Sequence, residues 1–210
     1  MKDLERFIIG FRTFQKDYFG PASSQFEPLK REQTPKTMII GCSDSRVDPA
    51  ILTNCSPGDI FTVRNVANLV PPCEKNGGLH GVSAALEFAV CHLCVENIIV
   101  LGHSQCGGIG ALMAGSCGCK EDNFISGWMS IAATAKEKVL TELKGKNPQL
   151  QQRAAEQASI LLSLENLRSF PWIDQRITGG ALSLHGWYFD LHTGELLEYL
   201  PSLGLFQKIN

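Results

Sequence analysis

Two cysteines and a histidine stand where a soft metal ion would take them. Cys42 follows the apolar run TMIIG within GCSDSRVDP, and His103 and Cys106 follow NIIVLG within GHSQCGG. Two thiolates and one imidazole make a three-ligand set for Zn²⁺, and a fourth tetrahedral position left to water distinguishes a catalytic zinc from a structural one. Sulfur donors disfavour magnesium and calcium. Asp44 and Arg46 flank Ser45 in the loop after Cys42, where a guanidinium can grip a carboxylate through two parallel hydrogen bonds and keep it ionised beside the metal. Such an aspartate either accepts a hydrogen bond from the metal's water, the active arrangement, or fills the fourth position itself, the blocked one. Fixed in the second state, the chain reads as a non-catalytic zinc-binding protein. Two thiolates cancel the charge of the ion, so its water should be a weaker acid than that of a three-histidine zinc, whose pKa is about 7. Activity is therefore expected to rise through mildly alkaline pH.

GHSQCGG also lies close to the nucleophile elbow of serine hydrolases, which would use Ser104 with Asp174 or Asp190 and His185 or His192. The elbow needs a small residue two after its serine, and Cys106 occupies that place. This alternative also leaves CSDSR without a role.

The elements that must position these residues follow from periodicity. TMIIG (37–41), DIFTV (59–63) and NIIVLG (97–102) read as short buried strands, and HGVSAALEFAVCHLC as a helix over about 81–94 between the last two. Strand, helix, strand implies a parallel sheet with sites at the carboxyl ends of its strands, where Cys42, His103 and Cys106 fall together. Leu4, Phe7, Ile8, Phe11, Phe14 and Tyr18 form a helical stripe that needs a surface to cover and ends at Gly20-Pro21. Two further helices are expected over 123–144 and 148–168, separated by KGKNP. The tail ALSLHGWYFDL with ELLEYL reads as an edge strand or hairpin. The fold expected is α/β, a central mostly parallel sheet flanked by helices, in one domain over 1–210 with an N-terminal helical arm over 1–30.

The 210 residues, 44% hydrophobic and 19% charged, are those of an ordinary globular protein. Lys plus Arg number 19 against 21 for Asp plus Glu, with no long block of either sign, which argues against nucleic-acid and membrane partners. MKDLERFIIGF does not fit a secretory signal, so the cysteines are expected to be reduced and the protein cytoplasmic. Cys91 and Cys94 sit at i, i+3 on an apolar helical stretch and read as core packing. Cys117 and Cys119 read as loop residues, and Cys55 and Cys73 have no partner pattern. His185 is expected to satisfy a backbone group in a strand, and His92 and His192 to lie at the surface.

CSDSRVDP and HSQCGGIGA, at this separation and with RNVANLV between them, resemble the β-class carbonic anhydrases, closest to the plant-like branch. The similarity is strong over 33–111 and looser through LHGWYFDLHTGEL. The resemblance implies one zinc per chain on Cys42, His103 and Cys106, with Asp44 and Arg46 gating it, and reversible hydration of CO₂ to bicarbonate and a proton by activated water. It implies substrate contacts from Gln33, Phe61, Val66, the backbone N–H of Gly107 and Phe88, which replaces that branch's tyrosine. It further implies a homodimer or higher even-numbered oligomer, with a pocket built across the dimer and the N-terminal helix on the partner. A second branch carries an inhibitory bicarbonate site, but its tryptophan and tyrosine positions hold Ile39 and Phe189 here, although Arg64 is retained, so no such site is expected. Relatives that hydrolyse carbonyl sulfide or carbon disulfide share the ligand set, which leaves that substrate class open. No histidine is evidently placed as a proton shuttle; His80 is a candidate.

Overall fold

Apolar runs without alternation are what strands covered on both faces require, and the computed structural model has them at its centre. It describes residues 2–21, 24–74, 78–115 and 124–209, which fall into two units, Met1–Thr34 and Pro35–Asn210. Strands β1 (Thr37–Cys42) and β3 (Asn97–His103) are buried at every residue after their first. β2 (Ile60–Asn65) pairs with β1, β1 with β3, and β3 with β4 (Ser183–Phe189), all parallel. β5 (Leu196–Leu200) and β6 (Leu205–Lys208) add antiparallel, giving the order β2-β1-β3-β4-β5-β6. The tail therefore takes the hairpin form, and β4 lies inside the sheet because β5 and β6 continue beyond it.

Alternate residues of the central strands face different cores. Met38, Ile40, Ile98 and Val100 join a cluster with Leu86, Val90, Ile160 and Tyr188. Ile39, Ile99 and Leu101 face the other way, against Trp187 and Leu196.

The helices of the larger unit are α3 (Pro49–Leu52), α4 (Gly81–Glu87), α5 (Gly107–Ala114), α6 (Phe124–Met129), α7 (Ala133–Glu142), α8 (Pro148–Arg168) and α9 (Pro171–Thr178). The first of the two long helical stretches is thus two helices joined by a 3₁₀ turn at Ser130–Ala132. α8 starts as its sequence directs, with the Asn147 side chain accepting the Gln149 amide at 2.8 Å and Pro148 at the first turn. Its path over the sheet depends on glycines: a β-carbon at Gly102 would lie 2.7 Å from Ile160 Cδ1, and one at Gly186 3.0 Å from Ile160 Cγ2. Ile160 is fully buried and has nowhere to retreat. Gly102→Ala is expected to cost about 1–3 kcal/mol in urea unfolding; unchanged stability would show that α8 yields freely.

One helix departs from expectation. The stretch over 81–94 is α-helical to Glu87, then widens into a π turn at Phe88–His92, with the Leu93 amide bonded to the Phe88 carbonyl at 3.0 Å. The extra residue in that turn shifts the helical phase. Leu86 and Val90 stay buried, while Cys91 and Cys94 are exposed, not packed in the core.

In the N-terminal unit, α1 (Lys2–Phe19) and α2 (Phe26–Leu29) meet through aromatic rings. Phe26 contacts Phe14, Tyr18 and Phe19 at centroid distances of 5.7, 5.7 and 4.6 Å. Leu4, Phe7, Ile8 and Phe11 remain at least half exposed. Among the described residues no helix is long and apolar enough to cross a membrane.

Candidate metal centre

Parallel pairing brings the carboxyl ends of β1, β2 and β3 to one edge. Cys42 pairs with Asn65 at the end of β2, and His103 closes β3 opposite Phe189. The Cys42 and Cys106 sulfurs and a His103 ring nitrogen all lie within 4.8 Å of one another, and all three residues are buried. Gln105, between the two later ligands, adopts a left-handed φ of 57°, a conformation uncommon outside glycine. That turn lets His103 and Cys106 face the same point.

His103 Nδ1 lies 2.9 Å from the Ser104 carbonyl. A carbonyl only accepts, so Nδ1 carries the proton and Nε2 presents a lone pair. Nε2 is buried and has no hydrogen-bond partner among the described residues. The two sulfurs act on each other: Cys106 pulls the Cys42 pKa down, and the Cys106 thiol is pushed up by its Cys42 neighbour and by burial. The Asp44 amide, 3.5 Å from the Cys42 sulfur, and the Gly108 and Ile109 amides at the start of α5 favour sulfur in its anionic form. An unpartnered imidazole nitrogen converging on two buried sulfurs fits a tetrahedral soft cation.

Asp44 is held as its spacing predicts. Oδ1 accepts from Arg46 Nε at 2.9 Å and Oδ2 from Nη2 at 2.7 Å, and this grip keeps the carboxyl well below the usual carboxylate range. Oδ2 is also 4.0 Å from His103 Nε2. Arg46 reaches on to the Gln105 carbonyl at 3.3 Å, tying the loop after β1 to the loop after β3.

Two supports were not read from the sequence. Arg64, opposite Gly41 on β2, donates to the Cys42 carbonyl at 2.9 Å, the Asp44 carbonyl at 2.8 Å and Asp48 Oδ2 at 2.7 Å. Asp48 in turn caps α3 through the Ala50 amide. Asp48-Pro49 is an N-cap signature that marks this role. Glu156 on α8 is 3% exposed; its Oε1 accepts from the Cys106 amide and from Gln152 Nε2, both at 3.0 Å, and its Oε2 from the Tyr188 hydroxyl at 2.8 Å. Burial pushes its carboxyl up, against the pull of these three donors. The buried spacing of Ser159, Ile160 and Ser163 places Glu156 on the inner face of α8, a signal readable from helical period.

The remaining candidates divide. Gly107 opens α5 directly after Cys106, and Val66, 38% exposed, lies beside Gly108. Phe61 and Phe88 stack on each other at 5.9 Å, with His92 5.4 Å from Phe88. Phe61 pairs with Met38, four residues before Cys42 on β1, so it lies about 13 Å back along the sheet from this chain's own sulfurs. Gln33 belongs to the N-terminal unit.

Ser104 is 5% exposed and its hydroxyl accepts the Leu191 amide at 2.8 Å; among the described residues no histidine ring hydrogen-bonds it. His185 bonds side chains instead of backbone, Glu198 Oε1 at 3.1 Å and Asn97 Oδ1 at 3.3 Å, because the strand ladders already use the backbone groups. His192 is exposed and its Nε2 lies 2.7 Å from the Gln105 side-chain nitrogen. Cys117 and Cys119 lie outside the described residues.

A family model described as carbonic anhydrase matches residues 37–196. The chain is 43% identical over 180 residues to β carbonic anhydrase 5, chloroplastic, of Arabidopsis thaliana, covering 86% of this chain and 59% of that relative's length. Its structure is similar to that of the β-carbonic anhydrase CcaA, with a TM-score of 0.92 at 33% identity over 100% of this chain and 93% of the other. It is also similar to one of two tetrameric β-carbonic anhydrases from Sordaria macrospora, with a TM-score of 0.76 at 28% identity over 98% and 95%.

Proposed function

The chain belongs to the β-class carbonic anhydrase family, on its plant-like branch, and on that premise we propose that it catalyses the reversible hydration of carbon dioxide to bicarbonate and a proton. The observation that carries this reading is the buried convergence of Cys42, His103 and Cys106, with an orphaned imidazole nitrogen, beside the Asp44–Arg46 pair. The three residues would hold one Zn²⁺. When bound, the ion supplies the Lewis acidity that makes water a nucleophile near neutral pH.

The chain's own residues do the rest. Arg46 keeps Asp44 ionised and aimed, so its oxygens accept hydrogen bonds and donate none. Such a group orients a proton-bearing nucleophile and turns away an acceptor. Arg64 fixes the backbone on either side, through the Cys42 and Asp44 carbonyls. The Gly107 amide, in the first turn of α5, is among those that lack an intrahelical acceptor, and it would bind a substrate oxygen.

The apolar wall comes from a second copy. Phe61 and Phe88 are too far along the sheet to serve this chain's own centre, Phe88 is 44% exposed, and α1 presents Leu4, Phe7, Ile8 and Phe11 to solvent. A homodimer or higher even-numbered oligomer covers such surfaces and carries those rings, with Gln33, to a neighbouring centre.

Metal analysis paired with stopped-flow CO₂ hydration tests the proposal: about one zinc per chain and hydration that chelation abolishes are expected. Zinc without hydration, or turnover of carbonyl sulfide or carbon disulfide in its place, would overturn it. The rate constant should climb through mildly alkaline pH, since two thiolates weaken the acidity the metal confers; a profile flat from acid to alkali would contradict the ligand set. Asp44→Asn is expected to retain zinc and lower hydration about 10- to 100-fold, checked by the same two measurements.

A further inference from the structure

The C-x-x-C at Cys91 and Cys94 has no part in the metal centre, yet both thiols are exposed. Cys94 leaves the π turn in a left-handed conformation, φ 54°, which points its sulfur back to within 4.0 Å of the Cys91 carbonyl. Residues three apart on a helical turn have β-carbons about 5–6 Å apart, slightly beyond the span of a disulfide. Cys94, already outside helical geometry, can close that gap by local rotation.

Cys94 also stands on the rim of a pocket of ≈ 580 Å³ lined by Lys36, Glu96, Asn97, Arg176 and Ser183. Lys36 and Glu96 pair at 2.8 Å. Arg176 spends its hydrogen bonds on the Val90, Val95 and Ala181 carbonyls at 2.6, 3.2 and 3.3 Å, and among the described residues it forms no ion pair. The pocket therefore has one more positive charge than negative, beside an accessible thiol.

We propose that Cys91 and Cys94 form a redox-active dithiol, with the adjoining pocket binding an anionic low-molecular-weight disulfide of the glutathione class. The Cys94 thiolate attacks one sulfur of the bound disulfide, forming a mixed disulfide and releasing one small thiolate. The Cys91 thiolate then attacks the Cys94 sulfur and displaces the second. Two electrons pass from the protein to the small disulfide, and the two protons released by the cysteines end on the two small thiols. Cys94 is the attacking thiol because it lines the pocket and Cys91 does not; Cys91 is the resolving partner, its thiolate disfavoured by partial desolvation and the nearby Glu87 carboxylate. Cys42 and Cys106 are 5% and 1% exposed and should not react, so the dithiol works whatever the metal centre does.

The test is alkylation and peptide mapping of the full chain after exposure to glutathione disulfide. The wild type should yield an intramolecular Cys91–Cys94 disulfide, reversed by reduced glutathione. Cys91→Ser should stop at a glutathione adduct on Cys94, and Cys94→Ser should leave Cys91 unmodified on that time scale. Lys36→Gln should slow the reaction roughly threefold or more with glutathione disulfide but not with a neutral disulfide. A stable adduct on wild-type Cys94 that never closes, equal adduct formation on either cysteine in the single variants, or no charge dependence of the rate would overturn the proposal.

Discussion

Cys106→Ser is expected to empty the metal centre. Serine offers a hydroxyl far less acidic than a thiol at nearly the same volume, so the buried fold is kept while one of two anionic donors is lost. Bound zinc should fall from about one per chain to below roughly a tenth, and CO₂ hydration by on the order of 10³-fold, since the Lewis acid supplies several kcal/mol of the barrier lowering. Metal analysis, far-UV circular dichroism and stopped-flow hydration on one preparation check this. Retention of both zinc and activity would remove Cys106 from the ligand set. Cys91→Ser is the control, expected to keep its zinc.

The second large effect is expected at Glu156. Truncation to alanine removes the acceptor of the buried Cys106 amide and Tyr188 hydroxyl and leaves Gln152 without its partner. Unsatisfied buried groups cost about 1–3 kcal/mol each, so a loss of about 3 kcal/mol in urea unfolding is expected. The Cys106 backbone is then free to shift, and zinc affinity should fall about 10- to 100-fold, as for other residues that orient a ligand from behind. Glu156→Gln, which keeps the shape and one acceptor oxygen, should fall between. Unchanged zinc affinity in the alanine variant would show that α5 and the Gln105 turn hold Cys106 unaided.

What could be read from residue order was whatever depends on short range. The three central strands are apolar runs bounded by turn residues, and each observed strand ends within two residues of its expected bounds. The convergence of Cys42, His103 and Cys106 followed from their standing directly after strands that pair in parallel. The Asp44–Arg46 grip was legible because two residues of spacing in a tight loop leave few other partners. What escaped reading depends on pairing between distant segments. Arg64 contacts the Cys42 loop only because β1 and β2 align Gly41 with Arg64, and Glu156 meets Cys106 across 50 residues of chain. The exposure of Cys91 and Cys94 escaped because one residue inserted as a π turn rotates everything after it, and hydrophobic period assumes an even winding. The interior place of β4 required β6, a strand of four residues with one half-buried side chain, too weak a pattern to announce itself.

Glu156 and Ile160 are one helical turn apart on α8, and the second rests directly over Gly102 and Gly186. The missing β-carbons thus act as a spacing gauge: the depth to which α8 settles on the sheet sets the reach of the carboxylate that braces Cys106. A methyl group added beneath Ile160 would lift that brace, so Gly102→Ala should loosen zinc as well as the fold. The effect would arise at a position that touches neither the ion nor any of its ligands' side chains.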